Sequence, residues 1–240
     1  MYFLLFILGL ITGSFLAALS YRLPRNISIK KGRSFCPSCK IQINWRDNVP
    51  LVSYLLLRGK CRHCKNKISW RYSAIELTTA IVFVLVGLNS FMLFISCLLI
   101  LIFVIDFEHQ MIPDELVFIG LGVSLIYLLG SVSFYSNLLA GFLAALFLLL
   151  IHALTLGRGM GLGDVKLALF LGVLLGIHNL IYFYFASFLT GGVVAFILIL
   201  VGKAKLKQKI AFGPFLIIGF SIVWMINQLG LDSLWLKFLL

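Results

Sequence analysis

Charged residues are scarce in this chain of 240 residues, where Asp, Glu, Lys and Arg together make up 12% of the total. A soluble globular domain has about 25% charged residues, so the composition argues against an ordinary soluble fold. Apolar residues reach 62% and are arranged in blocks. Runs of about 17–25 apolar residues are long enough to cross a bilayer core. The sequence therefore predicts a membrane protein with several spans.

Acidic residues are scarcer still, with eight Asp and Glu against twenty Lys and Arg and a net charge of +12. Thirteen of the basic residues lie between Arg22 and Arg71, where Asp47 is the only acid. Four more follow each other closely near the C-terminus, at Lys203, Lys205, Lys207 and Lys209. Basic clusters beside membrane spans are typical of cytoplasmic loops. We therefore interpret the charge as a topology signal and expect no nucleic-acid partner.

The N-terminus lacks the basic region that precedes the apolar run of a cleaved secretory signal, which favours a first helix with its N-terminus outside. Eight spans are predicted, at residues 2–21, 74–88, 91–105, 116–129, 138–156, 165–177, 180–201 and 211–229. This order places nineteen of the twenty basic residues on the cytoplasmic side, with Lys237 alone outside. We expect an all-α polytopic membrane protein with three parts, namely a first helix (1–21), a cytoplasmic segment (22–72) and a multi-helix membrane domain (73–240).

The cytoplasmic segment carries two C-x-x-C pairs, Cys36/Cys39 and Cys61/Cys64. This spacing is typical of zinc ribbons, in which four thiolates complete a closed tetrahedral shell around a structural ion. The alternative is a pair of disulfides, which are rare in the reducing cytoplasm. The fifth cysteine, Cys97, lies in an apolar span and is expected to be a core residue. The apolar stretch 47–54 between the pairs is expected to form a small domain core or to lie at the membrane interface.

Two of the few acids lie at the ends of predicted spans on the same side of the membrane, Asp106 and Asp164. Carboxylates at membrane depth are costly and are functional candidates for that reason. A glycine-rich run at 157–163 precedes Asp164 and suits a loop that approaches an extended peptide closely. Two carboxylates brought together share a proton, so one can activate water while the other polarises a carbonyl.

Simpler roles are open for each acid taken singly. Asp106 can be a helix-terminal charge, and Asp164 an N-cap of the span that begins at residue 165. Asp114 is expected to cap a helix. Lys166 can contact headgroups or act on Asp164. A transporter that uses the two aspartates as an ion site, or a zinc-dependent assembly protein without catalysis, is the competing function.

The motifs, taken in order, resemble those of the type IV prepilin peptidases, a family of bacterial membrane aspartyl proteases with a GxGD motif. The matching motifs run almost from end to end of the chain, and comprise Gly13-Ser14-Phe15, Tyr21-Arg22-Leu23-Pro24, the two cysteine pairs, Asp47-Asn48-Val49-Pro50, Ser69-Trp70-Arg71-Tyr72 with Glu76, Asp106 with Ile112-Pro113-Asp114, Gly159–Lys166 and Phe212-Gly213-Pro214-Phe215.

The resemblance implies that Asp106 and Asp164 are the catalytic pair, while the spacing of Cys36, Cys39, Cys61 and Cys64 predicts the structural zinc site. The resemblance also implies cleavage of the leader of prepilins or pseudopilins at the cytoplasmic face of the bacterial plasma membrane, in type IV pilus, secretion or competence systems. Family members with the cysteine segment also N-methylate the new terminus with S-adenosylmethionine. No glycine-rich nucleotide fingerprint marks a site for this cofactor, and the resemblance favours the segment 22–72 and the neighbouring helix ends.

Overall fold

The computed structural model describes residues 1–28, 34–157, 159–202 and 210–230. The predicted basic cluster Lys203, Lys205, Lys207 and Lys209 lies outside the described residues, as does Lys237. In the described ranges the regular structure is helical, and only two isolated β-bridges occur.

Nine α-helices follow one another through the described residues. They are α1 (Tyr2–Arg22), α2 (Val52–Leu56), α3 (Arg71–Val86), α4 (Ser90–His109), α5 (Asp114–Leu128), α6 (Phe134–Leu154), α7 (Leu162–Leu175), α8 (Leu180–Leu200) and α9 (Gly213–Gln228). Short 3₁₀ turns lie at Leu23–Arg25, Trp45–Asn48 and Ile177–Asn179. The all-helical prediction is confirmed.

Every predicted span coincides with a helix, but the helices differ in length. Four helical stretches of the described chain are long and apolar enough to cross a membrane, namely Tyr2–Arg25, Ser90–His109, Phe134–Leu154 and Ile177–Leu200. The helices α3, α5, α7 and α9 have 14 to 16 residues, and α9 is a shorter apolar helix. Four long apolar helices are compatible with a membrane protein, while eight spans remain a prediction.

The chain divides into two compact units, Met1–Leu101 and Ile102–Leu240. In the first unit α1 packs along α3, and glycines permit the close approach. A Cβ built on Gly9 would lie 2.5 Å from Cα of Ala80, and one on Gly13 would lie 2.7 Å from Cα of Glu76. Small residues spaced four apart are a common way for membrane helices to bring their backbones together. A larger side chain at either glycine would separate α1 from α3.

The apolar stretch of the cysteine segment was expected either to form a small core or to lie at the membrane interface. It continues into α2, whose side chains Leu55 and Leu56 are 74% and 78% exposed. Trp45 and Trp70 are exposed as well, and tryptophan is enriched where membrane meets water. Of the two alternatives, the exposed Leu55 and Leu56 suit the membrane interface better than a buried core.

In the second unit α7 is the central helix. It packs against α5, α6 and α9, and most of its side chains are buried, including Leu167, Phe170 and Leu171. A helix that is apolar on all sides suits such an interior position. By contrast, α6 and α8 expose many Leu and Phe side chains, as a lipid-facing surface would.

Candidate active site and metal centre

Asp106 lies in the last turn of α4, which extends four residues beyond the predicted end of its span. The side chain is 4% exposed, and the backbone N–H of Gly213, the first residue of α9, is directed at its carboxylate. The partial positive charge of a helix N-terminus stabilises a carboxylate. Oδ2 of Asp106 is buried and accepts no hydrogen bond from any described residue, so one acceptor atom of the carboxylate is left for a substrate or a water molecule.

Asp164 lies in the first turn of α7 and is 9% exposed. The helix begins at Leu162, three residues earlier than the predicted span, so Asp164 is not the N-cap residue. Its Oδ2 instead accepts a hydrogen bond of 3.1 Å from the backbone N–H of Gly161. The carboxylate thus reaches back over the N-terminus of α7, much as the acidic residue of a capping box does.

The two carboxylates come within range of each other's charge. The side chain of Ile112 lies beside both glycines that adjoin them, because a Cβ on Gly163 would be 3.2 Å from its Cβ and one on Gly213 would be 3.0 Å from its Cδ1. Three separate segments therefore converge here, namely the end of α4 with the following turn and the N-termini of α7 and α9. Sequence spacing alone could not bring these segments together.

The glycine-rich loop before α7 is held by residues that our sequence reasoning missed. Nδ1 of His152, near the end of α6, lies 2.7 Å from the carbonyl oxygen of Met160. Since a carbonyl only accepts, this nitrogen carries the hydrogen. Thr155 accepts a hydrogen bond of 3.1 Å from the N–H of Gly159. No sequence motif marks His152, since its partner is a backbone atom.

Among the described glycines of this loop, only Gly157 has a positive φ, of 74°. The expected conformational freedom is thus used at one position, where the chain leaves α6. At Gly163 the absence of a side chain serves a different purpose, because it admits Ile112.

Asp114 does not cap α5, contrary to our expectation. The N-cap position belongs to Pro113, and no side chain caps the helix. The carboxylate of Asp114 instead accepts a hydrogen bond of 2.7 Å from Nζ of Lys166. Both side chains are about half exposed, so the pair links the starts of α5 and α7 at the surface. The structure therefore gives Lys166 a partner other than Asp164.

The four cysteines of the first unit form one cluster, in which all Sγ atoms lie within 4.8 Å of one another. The two C-x-x-C turns have the same backbone pattern. The N–H of Lys40 donates to the carbonyl of Cys36, and that of Lys65 donates to the carbonyl of Cys61. Both lysines have a positive φ, and each turn is flanked by an antiparallel β-bridge.

The cluster fits a tetrahedral metal ion. With a Zn–S distance of about 2.3 Å, two sulfur atoms of a ZnS₄ site lie about 3.8 Å apart, and Sγ of Cys36 is 3.9 Å from Sγ of Cys64. All five cysteines are free thiols. Burial raises the pKa of Cys36, but hydrogen bonds from the backbone of Cys39 and Ser38 outweigh it, and the pKa falls to about 7. The Asn66 backbone lowers the pKa of Cys64, but burial and the neighbouring thiols outweigh it and raise the pKa to about 11. The spacing of the four sulfur atoms therefore shows that the four cysteines can bind a metal ion, and they would do so as thiolates.

Two protein families describe most of the chain. Residues 7–90 match the bacterial peptidase A24 N-terminal domain, and residues 93–196 match the type IV leader peptidase family. No solved structure matches the chain.

Relatives named prepilin leader peptidase/N-methyltransferase cover nearly the whole chain. The relative from Bacillus subtilis (strain 168) is 34% identical over 92% of this chain and 93% of its own length. The relative from Neisseria gonorrhoeae is 35% identical over 95% and 90%. The relative from Vibrio cholerae is 36% identical over 93% and 96%. Fold and relatives define a helical membrane peptidase, and the chain belongs to the type IV leader peptidase family.

Proposed function

We propose that this protein is an aspartyl endopeptidase that removes the leader of type IV prepilins or pseudopilins, with Asp106 and Asp164 as its catalytic pair. The observation that carries the proposal is the pair itself. Two buried carboxylates lie within range of each other's charge, with Asp164 in the first turn of α7 and Asp106 beside the N-terminus of α9. Oδ2 of Asp106 has no described hydrogen-bond donor.

Peptide hydrolysis follows from one proton shared by two carboxylates. The ionised member takes a proton from water, and the resulting hydroxide attacks the scissile carbonyl carbon. The protonated member donates its proton to the carbonyl oxygen, and a later proton transfer to the leaving amine breaks the C–N bond. The Gly161 N–H holds one oxygen of Asp164, which keeps that carboxylate oriented while the proton moves.

The side of cleavage follows from charge. Segment 22–72 is basic, so the positive-inside rule predicts that it is cytoplasmic. Counting the predicted spans from that segment assigns the connections next to both aspartates to the same side. We therefore propose a multi-pass protein of the bacterial plasma membrane with its N-terminus outside. We also retain the division into a first helix (1–21), a cysteine segment (22–72) and a peptidase domain (73–240).

Methyl transfer is the second activity that we propose. The relatives described above are named as N-methyltransferases as well as peptidases, and S-adenosylmethionine would supply the methyl group for the new N-terminus. We further propose that the ion held by Cys36, Cys39, Cys61 and Cys64 is zinc. Its four thiolates would leave no coordination position for substrate, so its role is structural.

The test co-expresses wild type, Asp106→Asn and Asp164→Asn with a prepilin-like substrate and follows leader removal by mass spectrometry. Asparagine keeps the size of the side chain but can neither act as a base nor share the proton. We expect cleavage to disappear in both variants while each inserts in the membrane and binds metal as wild type does. Persistent cleavage in either variant would exclude this mechanism and favour an ion-site role for the aspartates.

A further inference from the structure

The first unit contains a cavity of about 360 Å³ that the peptidase chemistry does not use. It lies where the end of α1, the start of α3 and the cysteine segment meet. Its wall includes Tyr21, Tyr72 and Glu76, and it also includes three basic residues (Arg22, Arg62 and Lys67) and two cysteines of the metal cluster (Cys36 and Cys61). Small-molecule sites have volumes of about 300–1,000 Å³ and combine aromatic surface with a few polar groups, so the cavity has the size and lining of a ligand site.

One charged side chain in this wall is almost completely buried. Glu76 is 7% exposed. Its carboxylate accepts a hydrogen bond of 2.9 Å from the Leu51 N–H and another from the Ser14 hydroxyl, and both donors are neutral. The other acid of the wall, Asp47, accepts hydrogen bonds of 2.6 to 3.1 Å from Arg62. A buried glutamate is rarely found without a paired charge. The position beside Glu76, rather than the cavity as a whole, therefore favours a cationic group of a ligand.

The backbone around Glu76 is strained in a way that fixes this carboxylate. Leu51 has φ 57° and ψ −49°, and the N–H of Val52 donates to the carbonyl of Pro50 at 2.6 Å. This is the γ-turn with positive φ, which is rare and costly for a residue other than glycine. The turn presents the Leu51 N–H to Glu76. From the opposite side, Gly13 brings α1 to within van der Waals contact of the Glu76 backbone.

We propose that this cavity binds S-adenosylmethionine and that Glu76 is the positioning residue for its positively charged sulfonium. The inference rests on the methyl-transfer part of the proposed function and assigns it a place. A carboxylate is the complementary partner of a sulfonium, and the two donors that hold it among the described residues are both neutral.

Methyl transfer moves one positive charge from one atom to another. The substrate ammonium first loses a proton to water, and the free amine then attacks the methyl carbon. A C–N bond forms as the C–S bond breaks, and its electron pair remains on sulfur as a thioether. The positive charge begins on sulfur and ends on nitrogen, so a single carboxylate at Glu76 offsets it throughout.

Binding measurements on the purified full-length protein test the assignment without relying on turnover. S-Adenosylmethionine and S-adenosylhomocysteine differ in the methyl group and in the charge on sulfur. We expect wild type to bind the charged compound, and Glu76→Gln to weaken that affinity at least about tenfold while changing the affinity for the uncharged compound less. Glu115→Gln, which removes an exposed carboxylate of α5, is the matched control and should bind both as wild type does.

A second variant addresses the cavity without touching its charge. Ala18 lines the same cavity, and Ala18→Phe should weaken binding of both compounds because it fills the space. Leader cleavage and metal content serve as folding controls for all variants. Wild-type affinity for S-adenosylmethionine in both Glu76→Gln and Ala18→Phe would overturn the assignment, and an equal loss of both compounds in Glu76→Gln would overturn the role of the charge. If wild type cleaves but neither methylates nor binds the donor, the methyl-transfer proposal itself fails.

Discussion

The most informative single substitution in the peptidase site is Gly213→Ala, because it adds one methyl group beside a catalytic candidate and removes nothing. A Cβ built on Gly213 lies 2.5 Å from Oδ2 of Asp106. Real Cβ atoms essentially never approach closer than 3.0 Å, so the carboxylate or α9 must move by at least 3.0 − 2.5 = 0.5 Å. A misplacement of about 1 Å can cost about 100-fold in rate. We therefore expect leader cleavage to fall by about 10- to 100-fold.

We do not expect Gly213→Ala to slow cleavage by unfolding the protein. Alanine has the higher helix propensity, by up to about 1 kcal/mol. The matched control is Gly192→Ala in α8, where a Cβ would meet nothing within 4 Å. We expect this control to cleave as wild type does. The assay is a time course of leader removal by mass spectrometry, with thermal unfolding in detergent recorded for each variant.

A second contact could explain a loss in another way, since the added Cβ also lies 3.0 Å from Cδ1 of Ile112. Ile112→Val removes that atom and leaves the approach to Asp106 unchanged. If displacement of Asp106 causes the loss, the double variant with Gly213→Ala remains slow. Restored cleavage in the double variant would locate the fault at Ile112. Cleavage by Gly213→Ala within about threefold of wild type, less than 1 kcal/mol in barrier, would refute the placement of Asp106 against α9.

Three further outcomes can be measured with the same substrate. His152→Ala removes the hydrogen bond to the Met160 carbonyl, and we expect about tenfold slower cleavage because the loop before α7 loses its support; His178→Ala is the control and should be neutral. Lys166→Met breaks the exposed pair with Asp114, and we expect a stability loss below about 1 kcal/mol and unchanged cleavage. A large fall in cleavage would instead favour a direct action of this lysine on the catalytic pair. Metal analysis should find about one zinc per chain, and a strong chelator should lower the unfolding temperature of the protein, whereas a chain without bound zinc would disprove the assigned ion.

The membrane helices could be predicted from the sequence because the length of each apolar block indicates the approximate length of the helix. Their ends could not, since the helix continues into polar residues that a hydropathy pattern excludes. Asp106 and Asp164 illustrate the difference, as both were expected at the edge of a span and both lie inside a helical turn. Helix ends depend on local hydrogen bonds, such as that from the Gly161 N–H, rather than on apolar content.

The candidate residues with recognisable chemistry, namely the aspartates and the cysteines, were visible in the sequence because their residue types are unusual for their surroundings. The residues that hold them were not. His152 donates a hydrogen bond to the carbonyl oxygen of Met160, and Leu51 donates its backbone N–H to Glu76. A backbone partner leaves no trace in side-chain chemistry, so no pattern of residue types could have revealed either contact.

Glycine is used in the same way beside two of the buried acids. Gly13 lets α1 approach the backbone of Glu76, and Gly213 lets the start of α9 approach the carboxylate of Asp106. In both places the missing side chain lets a helix lie next to a buried acid. Burying a carboxylate costs free energy unless hydrogen-bond donors or an opposite charge are close by. A site that depends on such an approach is sensitive to one methyl group, whereas glycines with open space around them, such as Gly122 and Gly192, are not. The effect of an alanine substitution at each glycine therefore shows which of these acids depends on the close approach of a helix.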